Sequence, residues 1–228
     1  MDLPKENYDA GRPASSYRPS HDLHVNITNV PQTIRGVTGM AIVRYALRAQ
    51  AHYLAAEQHH RDAFSSTYKL GAIQHMQDEL ELMIYCMRKS LDQFIQGIYS
   101  STYSKELGET GKVAVDSVGS VLNARQKKTV PELVRRVFGD DEGKICRFLT
   151  ILNIVSNCYK HGYFLPDSLA FASPERPNIV LFDIANRAIL GTPTVHNHAA
   201  VHLMMGYQDV FDRLLAETGA RPLFSPAK

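Results

Sequence analysis

Three groups of side chains in this 228-residue chain could do chemistry. The first is Asn157-Cys-Tyr-Lys160-His161, which sets an amide, a cation and an imidazole close together in sequence. Metal-free cleavage of RNA needs one group to take the 2′-hydroxyl proton and a cation to hold the phosphorane charge. His161 suits the first role; Lys160 or a partner chain would have to fill the second. The competing reading is an Asn/His hydrogen-bond network that stitches helices together. The second group is His196, His198 and His202. His198 and His202 stand at i and i+4, so on a helix they project from one face and could share a metal ion. His52, His59 or His60 would supply a third ligand. The third group is Arg125, Lys127, Lys128, Arg135 and Arg136. These cations read either as a phosphate-contacting patch or as a solvated face, and the acidic run Asp140-Asp-Glu142 that follows weakens the patch.

The elements that must position these groups are helical. Residues 1–36 hold Pro4, Pro13, Pro19 and Pro31 and little apolar periodicity, so they read as an extended or disordered arm. Residues 37–228 read as one helical-bundle domain. Met40, Val43, Leu47, Ala51 and Leu54 predict a helix over 38–64 with that stripe toward the core. Ile73, Met76, Leu80, Met83, Met87, Leu91, Phe94 and Ile98 predict a long second helix over 70–99. Residues 100–128 read as a connection with a short helical turn around Val115, Val118 and Val121. Thr129-Val-Pro-Glu132 has the form of a capping box opening a short helix that ends at Gly139. Asp140 or Asp141 caps the next helix, 142–162. Leu169–Phe171 and Ile179–Phe182 pair as a minor β-hairpin in the 165–185 segment. Thr194 caps a last helix to about Thr218, with Gly219 as its stop. The fold class expected is all-α, a helical bundle of five or six helices.

On helix 142–162, Ile145, Phe148, Leu149, Ile151, Leu152, Val155, Cys158 and Tyr159 form a wide apolar arc. Asn153, Asn157, Lys160, Cys146, Thr150 and His161 fill a narrow opposite sector. Such a helix belongs in the centre of a bundle, where its polar side chains must find partners. On the last helix Met204, Tyr207, Val210, Phe211, Leu214 and Leu215 make the apolar face. His198 and His202 then fall on the polar side beside Asp209 and Arg213, which argues against an inward metal site.

The long helix containing Gln77-Asp-Glu-Leu-Glu-Leu-Met-Ile-Tyr-Cys-Met-Arg88-Lys, with a late helix ending Asn157-x-x-Lys160-His161-Gly162, resembles the HEPN-like bundles. The likeness covers about 70–101 and 141–164. It implies a small α-helical protein that dimerises and belongs with RNases or with toxin–antitoxin and defence systems. The family's signature is an Arg, four to six residues, then a His, with a polar residue directly after the Arg. Asn157 matches the polar position and His161 the His, but Ser156 stands where the Arg belongs, and Arg147 is too far upstream to replace it. The resemblance therefore implies a non-enzymatic or marginally active nucleic-acid-associated accessory, without a cofactor. Its site would be Asn157, Lys160 and His161, its partners RNA and a second copy, with helix 142–162 near the two-fold axis.

A second, shorter likeness is to the DinB-like bundles, carried by His198-Ala-Ala-Val-His202-Leu-Met-Met-Gly206 and the ending Leu214-Leu-Ala-Glu-Thr-Gly-Ala-Arg-Pro222. It implies the alternative of a metal-dependent hydrolase or transferase, with zinc or nickel held by His52, His198 and His202. A structural or partner-binding bundle without a site is the third reading. Whether the chain is an enzyme stays open at this point.

Composition narrows the field. The 25 basic and 23 acidic residues give a net charge of +2, which excludes a polyanion-wrapping protein held by bulk charge. Cys86, Cys146 and Cys158 are odd in number and form no CxxC pair, as free thiols in a reducing cytosol would be. The start, MDLPKENYDAG, has no apolar signal region. The longest uncharged stretch, Ala188–Gln208, is interrupted by Gly191, Pro193, Asn197 and three histidines, so a cytoplasmic protein without a membrane span is expected. No P-loop, GxGxxG, GxSxG or HExxH motif is present, which lowers the case for a nucleotide-dependent enzyme, a serine hydrolase or a zincin.

Overall fold

The computed structural model describes residues 5–19, 37–65, 69–139, 142–161, 173–183 and 194–217. The protein is an all-α bundle with a minor β element, as the sequence pattern predicts. Among the described residues there are seven helices rather than five or six: α1 (Val37–Ala63), α2 (Leu70–Thr102), α3 (Ser104–Thr110), α4 (Val118–Lys127), α5 (Pro131–Phe138), α6 (Glu142–His161) and α7 (Ala200–Glu217). Three short strands, β1 (Lys5–Glu6), β2 (Asn178–Asp183) and β3 (Thr194–Ala199), form one sheet in the order β1-β3-β2. No described helix is long and apolar enough to cross a membrane.

The extra helices lie in the segment expected to be a connection. α3 closes on Gly111, whose φ of 63° lets its N–H reach Leu107 O at 2.8 Å. α4 opens on a capping box formed by Ser117 and Ser120, which satisfies amides that a helix start leaves bare. The box expected at Thr129 and Glu132 is not formed. Val130 is the N-cap of α5 and makes no side-chain cap bond. Thr129 instead still serves the preceding helix, donating its N–H to Ala124 O at 3.2 Å. Glu132 turns to Arg135 and Arg136, at 2.9 and 3.1 Å.

α2 buries the stripe that its spacing predicts, from Ile73 to Ile98. α1 does not. Its buried row is Ile42, Ala46, Ala49, Tyr53, Ala56, His60 and Ala63, whereas Met40, Leu47 and Leu54 are 73%, 40% and 38% exposed. Spacing alone could not choose between the two faces, and the smaller side chains lie inward, where they allow close packing.

Ile179–Phe182 is a strand, as expected, but its antiparallel partner is β3, with Ile179 opposite His198 and Leu181 opposite His196. Leu169–Phe171 lie outside the described residues. Thr194 therefore caps no helix. Residues 194–199 are extended, Asn178 Nδ2 donates to Asn197 Oδ1 across the pair at 2.9 Å, and α7 begins only at Ala200.

The described residues fall into two compact units. The first takes in residues 1–17, 48–85 and 151–205; the second, residues 18–47, 86–150 and 206–228. In the first unit the start of the arm is extended and packed: β1 pairs in parallel with β3, and Tyr8 and Ala10 are buried. Tyr17 meets Tyr53 edge-on at 5.1 Å. In the second unit Phe94 and Phe211 pack edge-on at 5.4 Å, and Tyr207 hydroxyl bonds Ser90 Oγ at 2.7 Å, so a buried phenol keeps a polar partner.

Candidate functional site

The last turns of α6 belong to the first unit. Leu152, Val155 and Cys158 point inward. Asn153 and Asn157 are half-buried and Lys160 is exposed, one turn apart along a single row. The polar sector is thus not a sealed seam: Lys160 is open to water and the two asparagines are partly so. Ser156, where the resemblance to HEPN-like bundles leads one to expect an Arg, is 4% exposed and faces the interior. His161 ends the helix, and its side chain lies outside the described residues. Tyr159 beside this row has its phenol pushed above the ordinary range, by burial first and then by Glu81 and Cys158.

The cations of 125–136 gather in the second unit, on α4, its C-cap and α5, but much of their charge is engaged. Arg125 stacks over the Phe138 ring at 5.6 Å. Arg135 and Arg136 share Glu132, whose carboxyl they hold below its usual range chiefly by hydrogen bonding. Lys127 and Lys128 are exposed. They stand at the C-terminal end of α4, where a cation also suits the helix dipole.

The three histidines of the metal reading are engaged separately. His52 Nδ1 meets Glu79 Oε2 at 2.6 Å. His198, buried on β3 rather than projecting from α7, accepts the backbone N–H of Tyr8 at Nδ1, 2.8 Å away. His202 Nδ1 lies 3.4 Å from Asp9 Oδ1. No trio of His, Cys, Asp or Glu among the described residues could hold a metal ion. These residues do not fit a shared ion: each meets a different partner, and with Nδ1 accepting from Tyr8 the neutral His198 ring carries its hydrogen on Nε2, leaving no lone pair for a metal.

Several interactions escaped the sequence reading. His60 Nε2 bonds Ser173 O at 2.8 Å. Tyr53 donates to Glu57 Oε1 at 2.5 Å, and both Tyr53 and Tyr17 have phenols raised by burial and by Glu57. His59 on α1 faces His75 on α2, ring centroids 5.4 Å apart. The contacts of 52 with 79 and of 59 with 75 run in opposite sequence directions, so α1 and α2 are antiparallel here. That adjacency was foreseeable only by pairing the two helices across their short connection.

The chain matches no family model, no curated protein and no solved structure.

Proposed function

We propose that this protein is a HEPN-like, non-enzymatic, nucleic-acid-associated accessory of the defence or toxin–antitoxin type, working as a homodimer. The observation that supports this most is the division of labour on α6: Lys160 is exposed and Asn153 and Asn157 are half-buried beside it, while the place of the family's catalytic cation is a buried serine. An ammonium flanked by amides can hold a phosphodiester backbone. Without the neighbouring guanidinium only Lys160 is left to hold phosphorane charge, so binding with no cleavage or marginal cleavage is the expected outcome. Fluorescence anisotropy with single-stranded RNA tests the reading. Binding should be measurable at low salt, weaken steeply as salt rises, and fall at least fivefold in Asn157→Ala/Lys160→Glu. No binding at low salt overturns it.

A second reading, a partner-binding bundle without a nucleic-acid role, is supported by α1, where Met40, Leu47 and Leu54 form an outward apolar row at seven-residue spacing. Sedimentation velocity separates the two. Under this reading Leu47→Lys/Leu54→Lys abolishes self-association, and the α6 variants change nothing.

A further inference from the structure

Seven histidine side chains are described; His196 packs ring to ring with His198, its second neighbour on β3, at 5.4 Å, and the other six fall into two kinds. His52, His60, His198 and His202 each meet a carboxylate, a carbonyl or an amide. His59 and His75 meet each other: one on α1, one on α2, rings tilted by 39°, the first half-buried and the second exposed. Two imidazoles set ring to ring gain little from one another, and they repel when both are protonated.

A metal ion gives the pairing a reason. A borderline divalent ion sits about 2.0–2.1 Å from each imidazole nitrogen, hence about 3.2 Å from each ring centre, and a tetrahedral angle then sets the centres about 5.2 Å apart. The observed separation is 5.4 Å; His196 and His198, second neighbours on one strand, stand equally far apart, so the distance permits a shared ion and it is the meeting of two separate helices that makes a clip. Two carboxylates stand near: Asp62, nearly one turn beyond His59 on α1, which accepts from Gln58, and Glu79, one turn beyond His75 on α2, which already pairs with His52. Neither completes a trio of ligands, so water fills the remaining positions.

We propose that His59 and His75 form a two-histidine clip for a borderline divalent ion, zinc or nickel, that ties α1 to α2 next to their connection. The nitrogen donors select against magnesium and calcium, which prefer oxygen. Because the pairing exists only in the folded chain, the ion stabilises that chain by mass action. This inference is independent of the role proposed for α6.

The test uses the full, untagged chain with zinc sulfate, nickel chloride and magnesium chloride as probes, read by calorimetric titration and thermal unfolding. One equivalent of zinc or nickel should bind, and Tm should rise by roughly 5–10 °C at a hundredfold excess over Kd. His59→Ala and His75→Ala should each weaken binding at least tenfold while keeping the wild-type circular dichroism; His59→Gln/His75→Gln checks the result without opening space. His202→Ala should bind like the wild type. The proposal is overturned if zinc and nickel fail to bind, if magnesium binds as well as they do, or if the His59 and His75 variants retain binding. Loss in His202→Ala alone would assign the ion to other histidines and overturn it equally.

Discussion

The backbone N–H of Tyr8 donates to Nδ1 of His198 across 2.8 Å, just beyond the parallel pairing of Glu6 with His196. With Nδ1 accepting, the neutral ring carries its hydrogen on Nε2. Both residues are buried, so the bond anchors the start of the chain in a place where a lost partner is not replaced by water. His198→Ala should cost about 2–4 kcal/mol, from the cavity and the stranded amide together. His198→Asn, which offers an oxygen acceptor near Nδ1, should lose less. Urea denaturation decides; a wild-type midpoint for the alanine variant would refute the anchoring role.

The helix caps give a contrast between neighbouring segments. Ser117 accepts from the Ser120 amide, and Asp92, held by Arg88 at 2.9 Å, accepts the Val118 N–H at 2.8 Å. Ser117→Ala should therefore cost about 1 kcal/mol. Thr129→Ala should be nearly neutral, because that hydroxyl caps nothing. Equal losses at the two positions would contradict this assignment.

These contrasts show what a sequence can reveal. The α2 stripe was legible because large apolar residues at helical spacing specify both an element and its buried face. On α1 the same signal pointed the wrong way, since alanines make the inner row and burial was decided by packing distance rather than by side-chain size. β3 was hidden because its strand character depends on β2, remote in sequence, whereas Thr194 and the apolar spacing from Val201 onward imitate a helix start. On α6 the inward position of Ser156 was legible from the wheel. The outward opening of Asn157 and Lys160 was not, because it depends on which sides of α6 are covered.

Gly139 offers a sharper test of local geometry. Its φ of 59° and ψ of −148° lie in a region that is essentially glycine's alone. An added Cβ would also run into the Arg213 guanidinium, which pairs with Glu217 at 3.0 Å. Gly139→Ala should destabilise the protein by roughly 2–3 kcal/mol, mostly through the backbone. Adding Arg213→Ala should recover only the steric share. Thermal melts of the single and double variants measure both.

Alkaline pH should unfold the protein through its phenols. Burial raises Tyr17, Tyr53, Tyr159 and Tyr207 well above the ordinary range, with Glu57 adding to the first two and Glu81 to the third. In the unfolded chain a phenol ionises near pH 10. The folded state thus binds more protons above that pH, so stability is fully present below about pH 10 and is lost as pH climbs toward the folded values. Tyrosinate absorbance should rise in two stages, with at least these four of the eleven tyrosines, and Tyr99, which burial and Glu106 also raise, ionising only as the helical circular dichroism disappears. A single smooth titration with the fold intact would count against their burial.

The serine at position 156, where the proposed HEPN-like likeness would put an arginine, predicts an asymmetric response to added cations on α6. Ser156 faces inward at 4% exposure, so Ser156→Arg must strip water from a guanidinium or twist the helix. It should cost about 3 kcal/mol or more and yield no ribonuclease activity. Asn157, one residue on, is half-buried in the outward row with Asn153 and Lys160. Asn157→Arg can extend into water at little cost. Under the proposed RNA-binding role it adds a phosphate contact, so RNA affinity should rise and the slope of log K against log salt should steepen by about 0.7. If Ser156→Arg instead folds normally and cleaves RNA, the inner face of α6 is a dormant catalytic site, and the non-enzymatic reading falls.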